Sequence, residues 1–293
     1  MRRLAESDLL GSVARLESAS GPCSNFEACL VISAGVIGNY LGDKWIDDNI
    51  RTSGSGDSDF IRFEALEGID DYRRNSRIIE LAEMLFNFQD IDGFEKLIGR
   101  LTTRKDLEAA IAELEAAELL FGSAIQFRFV DDGRETDKAT SEILKYDIEA
   151  CIGIRIIACE VKCNLEDTAL SVGSIRSAFK KARKQLRTDI PGIFFLRIPE
   201  AWVRDPSIQD TLHEAIDGMG TGRISALVVR WNEWHSVGHE CGLCVKRFAT
   251  YHNKRARHPL QDLGKIIRVP LRTDLWKLIP NIIQRPLHGF QDH

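Results

Sequence analysis

YDIEACIGIRIIACEVKC, Tyr146 to Cys163, is the stretch on which the fold turns. Ile143–Ala150 and Ile154–Cys163 are rich in β-branched and apolar residues, and Gly153 interrupts the run between them. That pattern predicts a β-hairpin. Side chains alternate faces along a strand, so Glu160 and Lys162 point the same way. Asp147 lies about as far before the turn as Glu160 lies after it, so antiparallel pairing sets the two carboxylates opposite each other with the lysine alongside. The other residues of ACEVKC are apolar, which predicts a buried strand, and a buried acid beside a buried lysine needs a reason. Mutual neutralisation is one reason and a functional site is another. A solvent-exposed strand end is the plainer alternative.

Outward from the hairpin, the period of the apolar residues assigns the remaining elements. Ile125–Val130 alternates as a half-buried strand, and the polar loop Asp131–Thr140 follows. Val172–Leu186 places Ile175, Phe179, Ala182 and Leu186 on one helical face. Pro191-Gly192 ends that connection, and Gly192–Pro199 is a buried strand. A helix at Ile208–Asp217 and a strand at Ala226–Trp231 are expected beyond it. Upstream, Arg77–Phe88, Phe94–Leu101 and Arg104–Leu120 read as helices, with Thr103 as a cap and Gly122 as a stop. Asp8–Ser18 and Asn25–Ile37 read as further helices, and Arg51–Asp59 as a flexible Gly/Ser loop. The expected organisation is a helical N-terminal region over 1–101, an α/β core over 102–245 and a basic extension over 246–293.

Composition sets wide bounds. The chain has 293 residues, 44% of them hydrophobic and 28% charged, which suits a soluble globular protein with ample core. Its net charge of −5 does not by itself suggest a nucleic-acid binder, although a basic face can sit on an acidic molecule. Seven cysteines form no paired framework and are expected to be reduced, as in the cytoplasm. MRRLAESDLL lacks the apolar run of a secretory signal, and the longest apolar stretch, Ala28–Ile37, is too short to span a bilayer. No membrane partner is expected.

Asp147 followed by Glu160-Val161-Lys162 resembles the D…(D/E)xK signature of the PD-(D/E)XK nuclease superfamily, which includes restriction endonucleases and Holliday-junction resolvases. The family core runs helix, three strands, helix, strand, and the expected elements follow that order over Lys105–Pro199. Tyr146 stands where the family usually has proline. The resemblance implies a restriction-endonuclease-like mixed sheet flanked by helices. It implies Mg²⁺ or Mn²⁺ held by Asp147 and Glu160, with Lys162 orienting water or steadying charge on phosphate. A glutamate from the first core helix is also implied. Glu118 lies within the stripe Leu107, Ile111, Leu114, Phe121, whereas ELEAAELL matches the family's helix glutamate at Glu113. Periodicity favours the first and the resemblance the second. Glu113 is taken as the third metal residue, and a solvated helix glutamate is the plain alternative.

Three further features bear on function. The helix Ser171–Thr188 holds six cations and no acid, and Arg176, Lys180, Arg183 and Arg187 form a stripe beside the apolar face. Such a stripe suits a phosphate backbone, or else it is a solvated helix surface. Gln185 lies on the opposite flank, where glutamines of related nucleases reach the active site. His235, His239, Cys241 and Cys244 have no zinc-finger spacing and read as loop and packing residues, with zinc as the alternative. The expectation is a metal-dependent nuclease acting on nucleic acid, DNA in the first instance, and a homodimer is the arrangement such folds use for double-strand cleavage. The alternatives are a non-catalytic nucleic-acid- or protein-binding module on the same fold, and an assembly part docking through its N-terminal helices.

Overall fold

The computed structural model describes residues 2–22, 25–51, 70–103, 107–130, 136, 143–164, 168–218, 220–237, 241–260 and 263–267. Helices open the chain: α1 (Glu6–Ser20), α2 (Asn25–Leu41), α3 (Asp43–Ile46), α4 (Asp70–Phe88), α5 (Phe94–Thr103) and α6 (Leu107–Gly122). The stripe Ile78, Leu81, Ala82, Leu85 and Phe88 is buried along α4, as its helical spacing requires. Three further helices, α7 (Val172–Gln185), α8 (Glu200–Val203) and α9 (Ile208–Asp217), lie among the strands, and α10 (Leu263–Ile266) follows them.

Six strands form one sheet in chain order: β1 (Gln126–Phe129), β2 (Ile148–Ile152), β3 (Arg155–Cys163), β4 (Gly192–Arg197), β5 (Ala226–Val237) and β6 (Cys241–His252). The first three are antiparallel, β3, β4 and β5 run parallel, and β6 returns antiparallel to β5. Parallel neighbours need crossovers, and α7 supplies the first while α8 and α9 supply the second. One sheet face packs with α1–α6 through Phe129, Ile148, Ile157, Cys159, Ile193 and Val228. The other packs with α7–α9 through Ala158, Phe194, Leu196, Leu227 and Val229. The result is an α/β architecture, a mixed sheet flanked by helices with a helical N-terminal region.

The hairpin forms where it was expected, with a shorter first strand. Ile152 pairs with Arg155, leaving a two-residue turn whose first position, Gly153, has φ +62°. Glycine takes that conformation without strain. β2 starts at Ile148 rather than Ile143, and Ile143 makes only an isolated bridge to Thr136. The reason is at Asp147, whose carboxylate Oδ2 accepts the Val161 N–H at 2.8 Å. A side chain there takes a donor that a continuing strand would have bonded through its backbone.

Other expectations need correction. Thr103 belongs to α5 and donates its hydroxyl to Gly99 O at 2.5 Å, so it does not cap α6. β5 runs past Trp231 to Val237, and β6 crosses the boundary expected at 245. HSVGHECGLC therefore lies largely in a long hairpin rather than a loop, because backbone pairing with β5 overrides its weak strand propensity. The side chains of 234–244, and so the expected His/Cys cluster, lie outside the described residues. So do 52–69, nearly all of the expected Gly/Ser loop, and the end of the basic extension from 268. Among the described residues no helix is long and apolar enough to cross a membrane.

A candidate active site on the central hairpin

The ladder register ends at Ile148 and Cys159. Asp147, one residue before it, donates its N–H to Cys159 O at 3.1 Å and accepts the Val161 N–H on its carboxylate at 2.8 Å, so it binds the backbone on either side of Glu160. Both are buried, Asp147 at 4% exposure and Glu160 at 0%. Lys162, on the same strand face, forms an ion pair with Glu160 Oε1. Glu113 comes from α6, on the far side of the hairpin in sequence. Arg100, in the last turn of α5, joins it to the hairpin: its Nη1 lies 2.6 Å from Glu113 Oε2 and 3.8 Å from Asp147 Oδ1. Arg100 Nη2 also donates to Val130 O at 3.2 Å, which fixes the guanidinium at the end of β1. Asp147, Glu160, Lys162 and Glu113 thus converge, with Arg100 as a fifth member.

Burial pulls the Lys162 ammonium toward its neutral form, but Glu160, Asp147 and Glu113 outweigh it and the pKa rises above the usual lysine value. Lys162 is therefore a cation at neutral pH, a hydrogen-bond donor and not a base. Cys159, on the opposite strand face, has its thiol pushed up by burial and by the Asp147, Glu149 and Glu160 carboxylates. A thiol held neutral in this way is no nucleophile. Tyr146 is fully buried, and its hydroxyl donates to Glu149 Oε2 at 2.7 Å, while Arg128 Nε donates to Glu149 Oε1 at 2.7 Å. This group holds the start of β2 against β1.

The residues expected around the site divide. Gln185 donates from Nε2 to Lys145 O at 3.1 Å, so its observed contact steadies the backbone leading into Asp147. Ile175, Phe179, Ala182 and Leu186 are buried as expected, with Phe179 edge-on to Phe194. The cationic stripe is only partly available. Arg176 reaches Glu214 at 3.5 Å, and Arg187, beyond the end of α7, donates from Nε to Asp189 at 2.8 Å. Lys180 and Arg183 are exposed.

α6 explains why two glutamates competed for one role. Thirteen of its 16 residues are buried, so it has no solvent face for periodicity to find. Glu118 is inward, but it belongs to a second cluster. Its Oε2 accepts from Arg230 at 2.6 Å and its Oε1 from Lys246 at 2.9 Å. Glu108 pairs with Arg197, Glu115 lies 3.4 Å from Arg197 and 3.7 Å from Arg230, and Glu80 of α4 lies 3.5 Å from Lys246. Arg197 and Arg230 are neighbours in register on β4 and β5. Buried Arg77 of α4 lies in the field of Glu108, Glu115 and Glu80.

Arg100 was missed by sequence reading. Its only signal is its place, a cation directly before the buried Leu101 in the last turn of α5. Chemically, the hairpin carboxylates are hard oxygen donors of the kind Mg²⁺ takes, and that ion is usually held by one or two carboxylates with water and phosphate completing its shell. Asp147 and Glu160 are donors of that type, both buried. Among the described residues, no three His, Cys, Asp or Glu side chains are grouped closely enough to hold a metal by themselves. No family model, curated protein or solved structure matches the chain.

Proposed function

We propose that the protein is a metal-dependent nuclease with a restriction-endonuclease-like core, in which Asp147 and Glu160 hold Mg²⁺ or Mn²⁺. The observation that carries the reading is the gathering of two buried carboxylates beside Lys162: Asp147 binds the backbone on either side of Glu160, and Glu160 pairs with Lys162. A bound divalent ion would polarise a phosphodiester oxygen and acidify a water. Lys162, protonated, donates a hydrogen bond to the attacking water or to a phosphate oxygen as charge develops there. Glu113 assists from α6, and Arg100 holds it beside Asp147. Gln185 acts as a positioning residue through the Lys145 carbonyl. The exposed Lys180 and Arg183 supply a sequence-independent attraction for the strand, DNA in the first instance.

Calorimetry with Mg²⁺ and Mn²⁺ on wild type and Glu160→Ala, followed by DNA cleavage assays, tests the reading. Metal binding lost in the variant, and cleavage lost in Asp147→Ala, Glu160→Ala and Lys162→Ala with the fold kept, supports it. Wild-type cleavage by all three variants sinks the site assignment. One observation favours a second reading, a non-catalytic binding module: Arg100 and Lys162 already neutralise part of the carboxylate charge. That module binds nucleic acid in a salt-sensitive way and shows no metal dependence.

A further inference from the structure

A groove of about 410 Å³ opens at the start of β3, away from the carboxylates. Arg155, Arg257 and His258 line it, together with Ile156, Ile190, Pro191 and Pro259, and no carboxylate is among the lining residues. Its polar groups are tied at the rim: Arg155 Nη1 donates to Pro259 O at 3.4 Å, Arg257 Nη1 to Thr188 O at 3.3 Å, and His258 Nε2 lies 3.1 Å from Thr188 O. Each guanidinium carries five N–H donors, far more than these single bonds use. The opposite character is provided by the wall, where Ile156 is 49% exposed and neighbouring Ile154 at the turn is fully exposed. Cations beside an apolar wall suit a nucleotide, with the phosphate on the guanidiniums and the sugar and base against the hydrocarbon.

The groove continues into the basic helix. Arg223 Nη1 donates to Arg183 O at 3.1 Å and to Leu186 O at 3.4 Å at the end of α7. Next to Arg223, Gly222 O accepts the Arg257 N–H at 2.8 Å. The exposed Lys180, Lys181, Arg183 and Lys184 of α7 and the exposed Lys254, Arg255 and Arg257 are thereby brought onto neighbouring surface. Asp189, which follows α7 in sequence, is paired with Arg187. Two cationic runs far apart in a chain of net charge −5 thus meet at one place. Ile156 and Glu160 share a strand face, and four residues separate them by roughly 13 Å, about four phosphate spacings of a stacked strand.

We propose that this groove anchors one nucleotide of a nucleic-acid strand whose scissile bond lies at Asp147 and Glu160, an inference that rests on the nuclease reading for the second contact only. The test is fluorescence anisotropy with a labelled single-stranded DNA oligonucleotide, in chelator so that no cleavage occurs, using the full chain. Arg155→Ala and Arg257→Ala each weaken binding roughly tenfold and lower the salt slope by about 0.7, as loss of one phosphate contact to a single strand requires. Both residues are exposed, so the fold is retained, and circular dichroism checks it. Unchanged affinity and salt slope in both variants overturn the proposal, whether or not the protein cuts. Tight oligonucleotide binding that falls in the variants, with no cleavage under any metal, upholds the groove and removes the nuclease. Calorimetric binding of free nucleoside monophosphate, with no oligonucleotide binding, overturns the strand assignment in favour of a small-nucleotide site.

Discussion

Two buried ionic clusters lie on α6, and they differ in how their charges balance. The cluster on β4, β5 and β6 sets Arg77, Arg197, Arg230 and Lys246 against Glu80, Glu108, Glu115 and Glu118, four formal charges of each sign. Among the described residues, the hairpin cluster sets two cations, Arg100 and Lys162, against three acids, Glu113, Asp147 and Glu160. At about 100° per residue, Glu113 lies roughly 140° round the helix from Glu108, so one helix serves both without mixing them. A balanced network has nothing left to recruit and acts as a clamp between helices and sheet. A buried cluster richer in acids attracts positive groups, which is the property the proposed metal site calls for. On that proposal the first cluster serves structure and the second serves chemistry.

The largest expected effect is on stability. Arg230→Ala removes the cation between Glu115 and Glu118, leaving buried carboxylates short of a partner. A loss of about 3–5 kcal/mol in unfolding free energy is expected from urea titration. A loss under about 1 kcal/mol would mean that water reaches this cluster, and the clamp assignment would fail. Glu160→Gln is expected to give the converse result. Cleavage falls by about 10²–10³-fold, some 3–4 kcal/mol of transition-state stabilisation, while the thermal midpoint holds or rises because a fully buried negative charge has been removed. If the glutamine variant unfolds as readily as Arg230→Ala, the two clusters are alike and the contrast disappears.

Acid titration separates them further. Burial alone would raise the Glu115 carboxyl, but Arg197, Arg230, Arg77 and Lys246 together bring it from 4.5 down to about 2. A carboxyl depressed on folding contributes stability that is full above its unfolded value and disappears as pH falls through the folded one. About 3 kcal/mol is therefore lost between roughly pH 4.5 and pH 2. Glu118 moves the other way, raised chiefly by burial, so its contribution has the opposite slope and lies above 4.5. The measurement is the urea midpoint followed from about pH 6 to about pH 2. A flat acid limb would show that Glu115 is not held ionised by its arginines.

Much of the hairpin was legible because strand alternation is local. Asp147, Glu160 and Lys162 could be placed near one another from spacing and one glycine, although Asp147 bonds Cys159 O and Val161 N–H rather than facing Glu160 in register. The helices of the N-terminal region were legible from periodicity for the same reason. The balanced cluster was not, because Arg197 is 89 residues from Glu108 and Arg230 is 112 from Glu118. Arg197 ends β4 after the apolar run FFL and Arg230 follows the apolar run LVV inside β5, and only the packing of α6 on the sheet gives each its partners. β6 escaped for a related reason: its pairing with β5 is tertiary, while its own residues favour no element strongly. Arg100 escaped because a cation on a buried helix edge has no meaning until Glu113 and Asp147 arrive beside it.

Arg100 also supplies the smallest and most discriminating test. Its guanidinium lies 2.6 Å from Glu113 and 3.8 Å from Asp147, within the space a bound cation would influence. If it stands in for that cation, it competes with metal for the same carboxylates, and Arg100→Gln removes that competitor. Mg²⁺ affinity by calorimetry is then expected to tighten about tenfold, near 1.4 kcal/mol, and glutamine can still donate toward the Val130 carbonyl that Arg100 now bonds. If affinity instead weakens, Arg100 holds Glu113 and Asp147 in place for the metal, and its role is positioning. Arg100→Lys separates charge from shape: a lysine keeps the competition but loses the planar fork that spans two carboxylates. Competition therefore predicts that lysine resembles wild type, whereas positioning predicts that lysine resembles glutamine.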